Sequence, residues 1–237
     1  MSHRSSIALN KRIIFALDVA DPASAREWVV RLEPRLGFFK VGLELFLAGG
    51  FPIVEWIVNR GHEVMLDLKF FDVPQTVRAA VQQLRNTGIS LATVHGNDAM
   101  LQAAAEGAEG FGILAVTALT SLDAGDLEDL GFSCSPEELV LRRAGKALEL
   151  GCTGVVSSGL ELTKLRSAFQ DSLLLVAPGV RPVKNRSDDQ KRVVDVFDAF
   201  MSGADHVVVG RPIRQAEDPL ELVDTMQKRI EEALCRR

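Results

Sequence analysis

Ile13-Ile14-Phe15-Ala16-Leu17-Asp18-Val19 is followed at once by Asp21-Pro22 and then by Ala25, Trp28, Val29 and Leu32 at helical spacing. The first stretch is too continuously apolar for a strand with one wet face and reads as a parallel strand covered on both sides. Asp21 is placed to cap a helix and Pro22 to open it at its first position. The apolar residues that follow form one stripe, with Glu27 and Arg31 paired four apart on the other side. This is one strand–helix unit.

The same alternation recurs along the chain. Further strand-like runs are Phe38–Leu43, Glu63–Lys69, Ser90–His95, Gly112–Ala118, Gly154–Ser157, Leu173–Ala177 and His206–Val209. Asp218-Pro219 opens the last helix as Asp21-Pro22 opens the first. Leu222, Val223, Met226 and Ile230 give it an apolar face, and Lys228, Arg229, Arg236 and Arg237 crowd its end, where cations suit the helix dipole. Eight such units in 237 residues predict an α/β fold of one domain, a single (β/α)8 TIM barrel over residues 1–237, with residues 1–12 a frayed N-terminal tail. A doubly wound open sheet is the competitor, and the lack of a G-x-G-x-x-G after the first strand removes its usual dinucleotide-binding version.

Composition narrows the function. With 47% hydrophobic and 25% charged residues the chain is an ordinary globular sequence. A net charge of −5 argues against a nucleic-acid partner. The longest stretch without Asp, Glu, Lys or Arg is the 13 residues Gly110–Leu122, short of the roughly 20 a spanning helix needs, so no membrane partner is expected. Met1–Arg12 lacks the apolar region of a secretory signal. Cys134, Cys152 and Cys235 are odd in number and far apart, as for reduced thiols in a cytoplasmic protein.

A barrel carries its chemistry at the C-terminal ends of its strands, and charges stand there. Asp18 ends the first strand, Lys40 sits in the second, and Asp67 and Lys69 end the third, with Asp72 in the loop beyond. Asp67 and Lys69 are two apart, so the pleat sends both to one face, about 6.6 Å apart along the strand, while Leu66 and Leu68 face the covering helices. A lone strand-end charge is usually solvated. Four on three consecutive apolar strands are harder to dismiss, since burying a charge costs several kcal/mol unless partners surround it. An alternating Asp–Lys–Asp–Lys set satisfies itself and keeps each group ionised.

The end of the chain adds an anion site. Ala177-Pro178-Gly179-Val180-Arg181 follows the seventh strand and Gly210-Arg211-Pro212-Ile213 the eighth. Loops after these strands form the usual phosphate site of the fold, where Gly210 admits the backbone and Arg181 and Arg211 add charge-assisted bonds. Lys184, Asn185, Arg186 and Ser187 form a polar stretch that reads equally as a closing lid or a surface loop. Thr117, Thr120 and Ser121 offer unspecific hydroxyls. His95 reads as a strand-end residue that orients its neighbours, and His62 and His206 as structural.

Asp67-Leu68-Lys69-Phe70-Phe71-Asp72-Val73-Pro74-Gln75-Thr76 resembles the D-x-K-x-x-D-[IV]-P-x-T signature of the orotidine 5′-phosphate decarboxylase family. Phe15–Asp18, Phe39–Gly42, Thr93–His95, Ala177–Arg181 and Val209–Ile213 match in order. Phe71 and Gln75 depart from the family's commoner histidine and asparagine. The resemblance implies a cofactor-free and metal-free carboxy-lyase that turns orotidine 5′-phosphate into uridine 5′-phosphate. Asp18 and Lys40 would hold ribose hydroxyls, Asp67 would lie beside the substrate carboxylate, and Lys69 would donate the proton. Thr120 or Ser121 would contact the pyrimidine, near Pro178. Gln190 would bridge base and phosphate, while Arg181, Gly210 and Arg211 would bind phosphate. Asp72 and Thr76 would reach the neighbouring site of an obligate homodimer.

That chemistry is consistent with the residues. Loss of CO2 from C6 leaves an in-plane carbanion that ring resonance cannot reach, and no motif suggests thiamine, pyridoxal or a metal as electron sink. A fixed ammonium must stabilise the charge and then quench it. The nearest rivals, 3-keto-6-phosphogulonate decarboxylase and hexulose-phosphate synthase, use Mg²⁺ with a glutamate near the position of Lys40, where an ammonium repels a divalent cation. A catalytically dead phospho-ligand binder on the same barrel is the non-enzymatic rival.

Overall fold

A computed structural model of the chain describes residues 7–119, 124–180 and 194–237. Eight parallel strands close into a barrel in sequence order: β1 Ile13–Ala16, β2 Phe38–Gly42, β3 Glu63–Phe70, β4 Leu91–His95, β5 Gly112–Val116, β6 Gly154–Val156, β7 Leu174–Pro178 and β8 His206–Val209. The last pairs with the first, Ile13 opposite Val207 and Phe15 opposite Val209. All eight expected strands are present. Several are shorter than their apolar runs, and β1 ends at Ala16, so Asp18 lies beyond the ladder.

In the described residues the helices are α1 Leu9–Arg12, α2 Pro22–Leu32, α3 Leu43–Asn59, α4 Pro74–Gln82, α5 Asp98–Gly107, α6 Ala124–Asp129, α7 Pro136–Glu149, α8 Leu162–Phe169, α9 Val196–Met201, α10 Arg211–Arg214 and α11 Pro219–Arg236. Asp21 caps α2 by accepting from Ser24 N, and Asp218 caps α11 by accepting from Leu220 N and Glu221 N, as the Asp-Pro pairs predict.

The pleat sorts the strands into two cores. Phe15, Leu17, Phe39, Val41, Val64 and Leu66 join the large apolar layer between strands and helices. Ile14, Ala16, Phe38, Met65, Leu91, Leu114, Val116, Val156, Val176 and Val208 fill the barrel interior. The inward rows thus run from apolar residues into polar ones: Ala16 to Asp18, Phe38 to Lys40, Met65 to Asp67. The interior is a plugged core, and what stands on the plug is charged.

One expectation is corrected. Residues 9–12 are not a frayed tail but the turn α1, which seals the N-terminal end of the barrel. Arg12 is buried, Lys11 Nζ lies 2.6 Å from Glu63 Oε1, and Gly37 N donates to Asn10 O at 2.8 Å. This end is closed by long-range pairs that local periodicity does not reveal.

Candidate active site

At the C-terminal end of the barrel, Asp18, Lys40, Asp67, Lys69, Pro178, Gly210 and Arg211 line one cavity of about 430 Å³, in the range of small-molecule sites. Ala16, Met65, Val116, Val156 and Val208 also line it. They belong to the interior plug, so the charges stand on an apolar base.

The four charges form an alternating row. Lys40 Nζ is 2.8 Å from Asp18 Oδ1 and 3.6 Å from Asp67 Oδ2, and Lys69 Nζ is 2.9 Å from Asp67 Oδ1. The side chains of Lys40 and Asp67 are 10% and 13% exposed, and those of Lys69 and Asp18 35% and 47%. All four line the cavity, the middle of the row more buried than its ends. Burial raises the pKa of Asp67, yet Lys40 and Lys69, with hydrogen bonds from Lys69 and Thr93, outweigh it and hold the carboxyl below its ordinary value. Asp67 is therefore ionised between two ammonium groups.

The route by which Lys69 reaches this row is not the regular pleat. Leu66 pairs with Ala92 and Phe70 with Val94, so four steps along β3 are matched by two along β4. Lys69 sits inside this bulge with φ at 49°, the left-handed region. A non-glycine residue held there costs on the order of 1–3 kcal/mol and persists only where its surroundings impose it. Its N–H is accepted by Thr93 Oγ1 at 3.0 Å. The expected convergence with Asp67 is found, through a bulge in place of an even ladder.

Glycines make room for the charges. A Cβ on Gly42 would lie 2.9 Å from Lys40 Nζ, and one on Gly210 would lie 3.1 Å from Ala16 Cβ and 3.5 Å from Asp18 Oδ2. Gly210 precedes α10, and Arg214 from that helix donates to the Asp18 carbonyl. The loop after β8 is thereby tied to the end of β1.

Alongside this geometry, the model of the Orotidine 5′-phosphate decarboxylase / HUMPS family matches residues 11–226. The chain belongs to that family. A curated orotidine 5′-phosphate decarboxylase from Methylococcus capsulatus is 54% identical over 231 residues, 97% of this chain and 96% of that protein. One from Stenotrophomonas maltophilia is 43% identical over 231 residues, 96% of each. The crystal structure of the orotidine 5′-phosphate decarboxylase from Lactobacillus acidophilus superposes with a TM-score of 0.82 at 31% identity, covering 93% of this chain and 99% of that one.

Not every residue implied by the family signature lies in the cavity. Asp72 and Thr76 are exposed outside it, and Asp72 Oδ1 accepts from Val73 N at 2.6 Å. Phe71 and Val73, on either side of Asp72, are 67% and 61% exposed. Thr120, Ser121, Arg181 and Gln190, together with the 184–187 stretch, lie outside the described residues. Thr117 is fully buried, and its hydroxyl donates to Val156 O at 3.0 Å, so it is spent on joining β5 to β6.

His95 is half-buried with Phe71 against its ring at 5.3 Å. Burial lowers its pKa, and Arg143 and Lys69 lower it further, so the ring is neutral near pH 7. It supports the loop after β3 as expected of an orienting residue. His62 is structural, 3.3 Å from Glu33 and edge-on to Phe39.

Two contributors escaped the sequence reading. Arg143, on α7, is half-buried and donates to Thr117 O at 2.5 Å, bracing the end of β5. Thr93, in β4, is fully buried and donates to Asp67 Oδ1 at 2.9 Å. Thr93 fell within the Thr93–His95 match to the family, but as a hydroxyl in an apolar strand it was given no role there.

Proposed function

We propose that the chain decarboxylates orotidine 5′-phosphate to uridine 5′-phosphate, a step of pyrimidine biosynthesis, with Lys69 as the proton donor. The observation that carries the mechanism is the Asp18–Lys40–Asp67–Lys69 row over an apolar plug. In the reaction the C6–carboxylate bond breaks and CO2 leaves while its electron pair stays on C6. The Lys69 ammonium stabilises that pair and transfers a proton to it, and water reprotonates the amine. Because Asp67 is held ionised, it aims the Lys69 ammonium. Asp67 also lies beside the leaving carboxylate.

Asp18 and Lys40 hold the ribose, and Gly210, Arg211 and Arg181 hold the phosphate. Pro178 and Thr120 or Ser121 border the base, with Gln190 between base and phosphate. Binding energy from the phosphate orders the site around the reacting carbon. The exposed apolar pair around Asp72 supports a homodimer in which Asp72 and Thr76 complete the neighbouring site. No helix among the described residues is long and apolar enough to cross a membrane. With the net charge of −5 this fits a cytoplasmic enzyme that engages neither membranes nor nucleic acid.

The Mg²⁺-dependent branch is disfavoured by Lys40, whose ammonium sits where a divalent cation would be repelled. Purified protein with orotidine 5′-phosphate should lose ultraviolet absorbance as product forms, at a rate unchanged by EDTA. Loss of activity on chelation would favour a metal-dependent reaction, and no turnover would favour a ligand-binding barrel.

A further inference from the structure

The bulge in β3 leaves two groups needing a partner at one point: the main-chain N–H of Lys69 and the Asp67 carboxylate oxygen that faces Lys69. One side chain meets both. Thr93 Oγ1 accepts from Lys69 N at 3.0 Å and donates to Asp67 Oδ1 at 2.9 Å, from a residue with no exposed surface. A hydroxyl has one proton to give. Since the amide N–H occupies the oxygen as acceptor, that proton is directed at Asp67, which must accept it as a carboxylate.

We infer that Thr93 is a positioning residue for the decarboxylation. Its hydroxyl pins the left-handed backbone of Lys69 to the Asp67 carboxylate, so that proton donor and carboxylate are held as one unit.

The argument rests on distances within a closed contact. Lys69 Nζ and Thr93 Oγ1 bind the same oxygen of Asp67, at 2.9 Å each. The other oxygen faces Lys40 at 3.6 Å. The carboxylate is thus oriented by two hydrogen-bond donors, Lys69 on its own strand and Thr93 on β4, and by the Lys40 ammonium on β2. Without the Thr93 proton it would be free to rotate between the two ammonium groups. Without the Thr93 acceptor, the part-buried Lys69 N–H would lose its partner at a strained residue. The reacting ammonium needs placement to a fraction of an ångström, and loose support costs rate far more than binding.

The inference rests on the decarboxylase reading above, and the two can fail separately. If the wild-type protein does not turn over orotidine 5′-phosphate, that reading fails. If it does, the Thr93 variants decide the inference. Thr93→Val keeps the shape and removes the hydroxyl. It should lower kcat about 10- to 100-fold, as for a lost hydrogen bond to a charged group, with KM within about threefold. The acid limb of kcat/KM should move to higher pH, because Asp67 loses a hydrogen bond that favours its charged form. Thr93→Ser should restore kcat to within about threefold and return the limb. Should Thr93→Val not fold, Thr93→Cys, of similar size and with a weak donor, should show the same split in smaller degree. Near-normal kcat in Thr93→Val, a loss confined to KM, an unmoved acid limb, or no rescue by Thr93→Ser would each overturn the inference.

Discussion

The mouth and the floor of the barrel both bury ions, on opposite terms. At the floor the Asp205 carboxylate is fully buried, accepting from Arg166 Nη2 at 2.7 Å and Leu175 N at 2.9 Å. Arg166 also donates to Gly203 O, and Arg12 to Asp205 O at 3.3 Å. His206 completes this layer, buried edge-on to Phe38 with Nδ1 2.9 Å from Lys11 O. At the mouth, Lys40 and Asp67 are nearly as buried, but their partners Lys69 and Asp18 open into a cavity. The floor spends its charges on closing the chain upon itself; the mouth arranges its charges as a row along an open cavity. Burial alone does not separate the two ends. A cavity does not separate them either, since Lys11, Phe38, Glu63 and His206 line one of about 580 Å³ at the floor; what differs is the alternating row of four ions that lines the cavity of the mouth.

Substitutions at each end should therefore fail differently. The largest effect is expected at Lys69→Ala, which should cut kcat by at least about 10⁴-fold, having removed both the acid and the stabilising cation. Its folding free energy should change by less than about 1 kcal/mol, because the ammonium is partly solvated. Absorbance kinetics and urea unfolding check both, and near-normal turnover would break the contrast between mouth and floor. Asp205→Ala should do the reverse. It should cost about 3–5 kcal/mol in unfolding by leaving the part-buried Arg166 with only its longer ion pair, to Asp171, with kcat per folded molecule within about threefold.

The proposed role of Asp72 sharpens the comparison, since it would make the mouth a joint property of two chains. Co-refolding inactive Lys69→Ala with inactive Asp72→Ala chains should recover partial activity, because a mixed dimer holds one intact site. No recovery would confine each site to its own chain. A smaller effect is expected at Gly42→Ala. The added methyl meets the Lys40 ammonium at 2.9 Å and should lower kcat/KM on the order of 10-fold by displacing it.

Acid should reach the floor first. Burial lowers the His206 pKa, so the unfolded chain binds the proton more readily. Its contribution is intact above the unfolded value of about 6.5 and declines as pH falls below it. Asp67 is also depressed, but as a carboxyl its contribution is present above about 3.9 and is lost only as pH falls through its lower folded value. His206→Asn can still donate to Lys11 O without titrating. It should flatten the stability loss between about pH 6.5 and 5 by roughly 1 kcal/mol or less, leaving the loss near pH 4 unchanged. An unaltered profile in chemical denaturation would remove His206 from the account.

Much of this was legible in the chain itself. The eight strands follow from continuous apolar runs between capped helices, because a parallel strand covered on both faces has no polar side to show. The charged quartet was legible for the same reason: Asp18, Lys40, Asp67 and Lys69 interrupt apolar strands at a place where only mutual pairing lets them stay. Asp21 and Asp218 announced their helices by local hydrogen bonds within three residues. These readings concern neighbours in sequence, whose geometry one period sets.

What needed the folded molecule were contacts across strands. The left-handed backbone of Lys69 depends on the mismatch between β3 and β4, and no alternation within β3 encodes it. Thr93 and Thr117 are both buried threonines, one within β4 and one just past the end of β5. One meets the Asp67 carboxylate and the other a neighbouring carbonyl, according to which strand lies beside each. The Arg166–Asp205 pair joins residues 39 apart in the chain, and the turn at residues 9–12 is ordered by Glu63 and Gly37. Local propensity chose the elements and the kinds of charge at their ends; register and barrel closure chose their partners, because only the closed sheet brings distant strands within hydrogen-bond range.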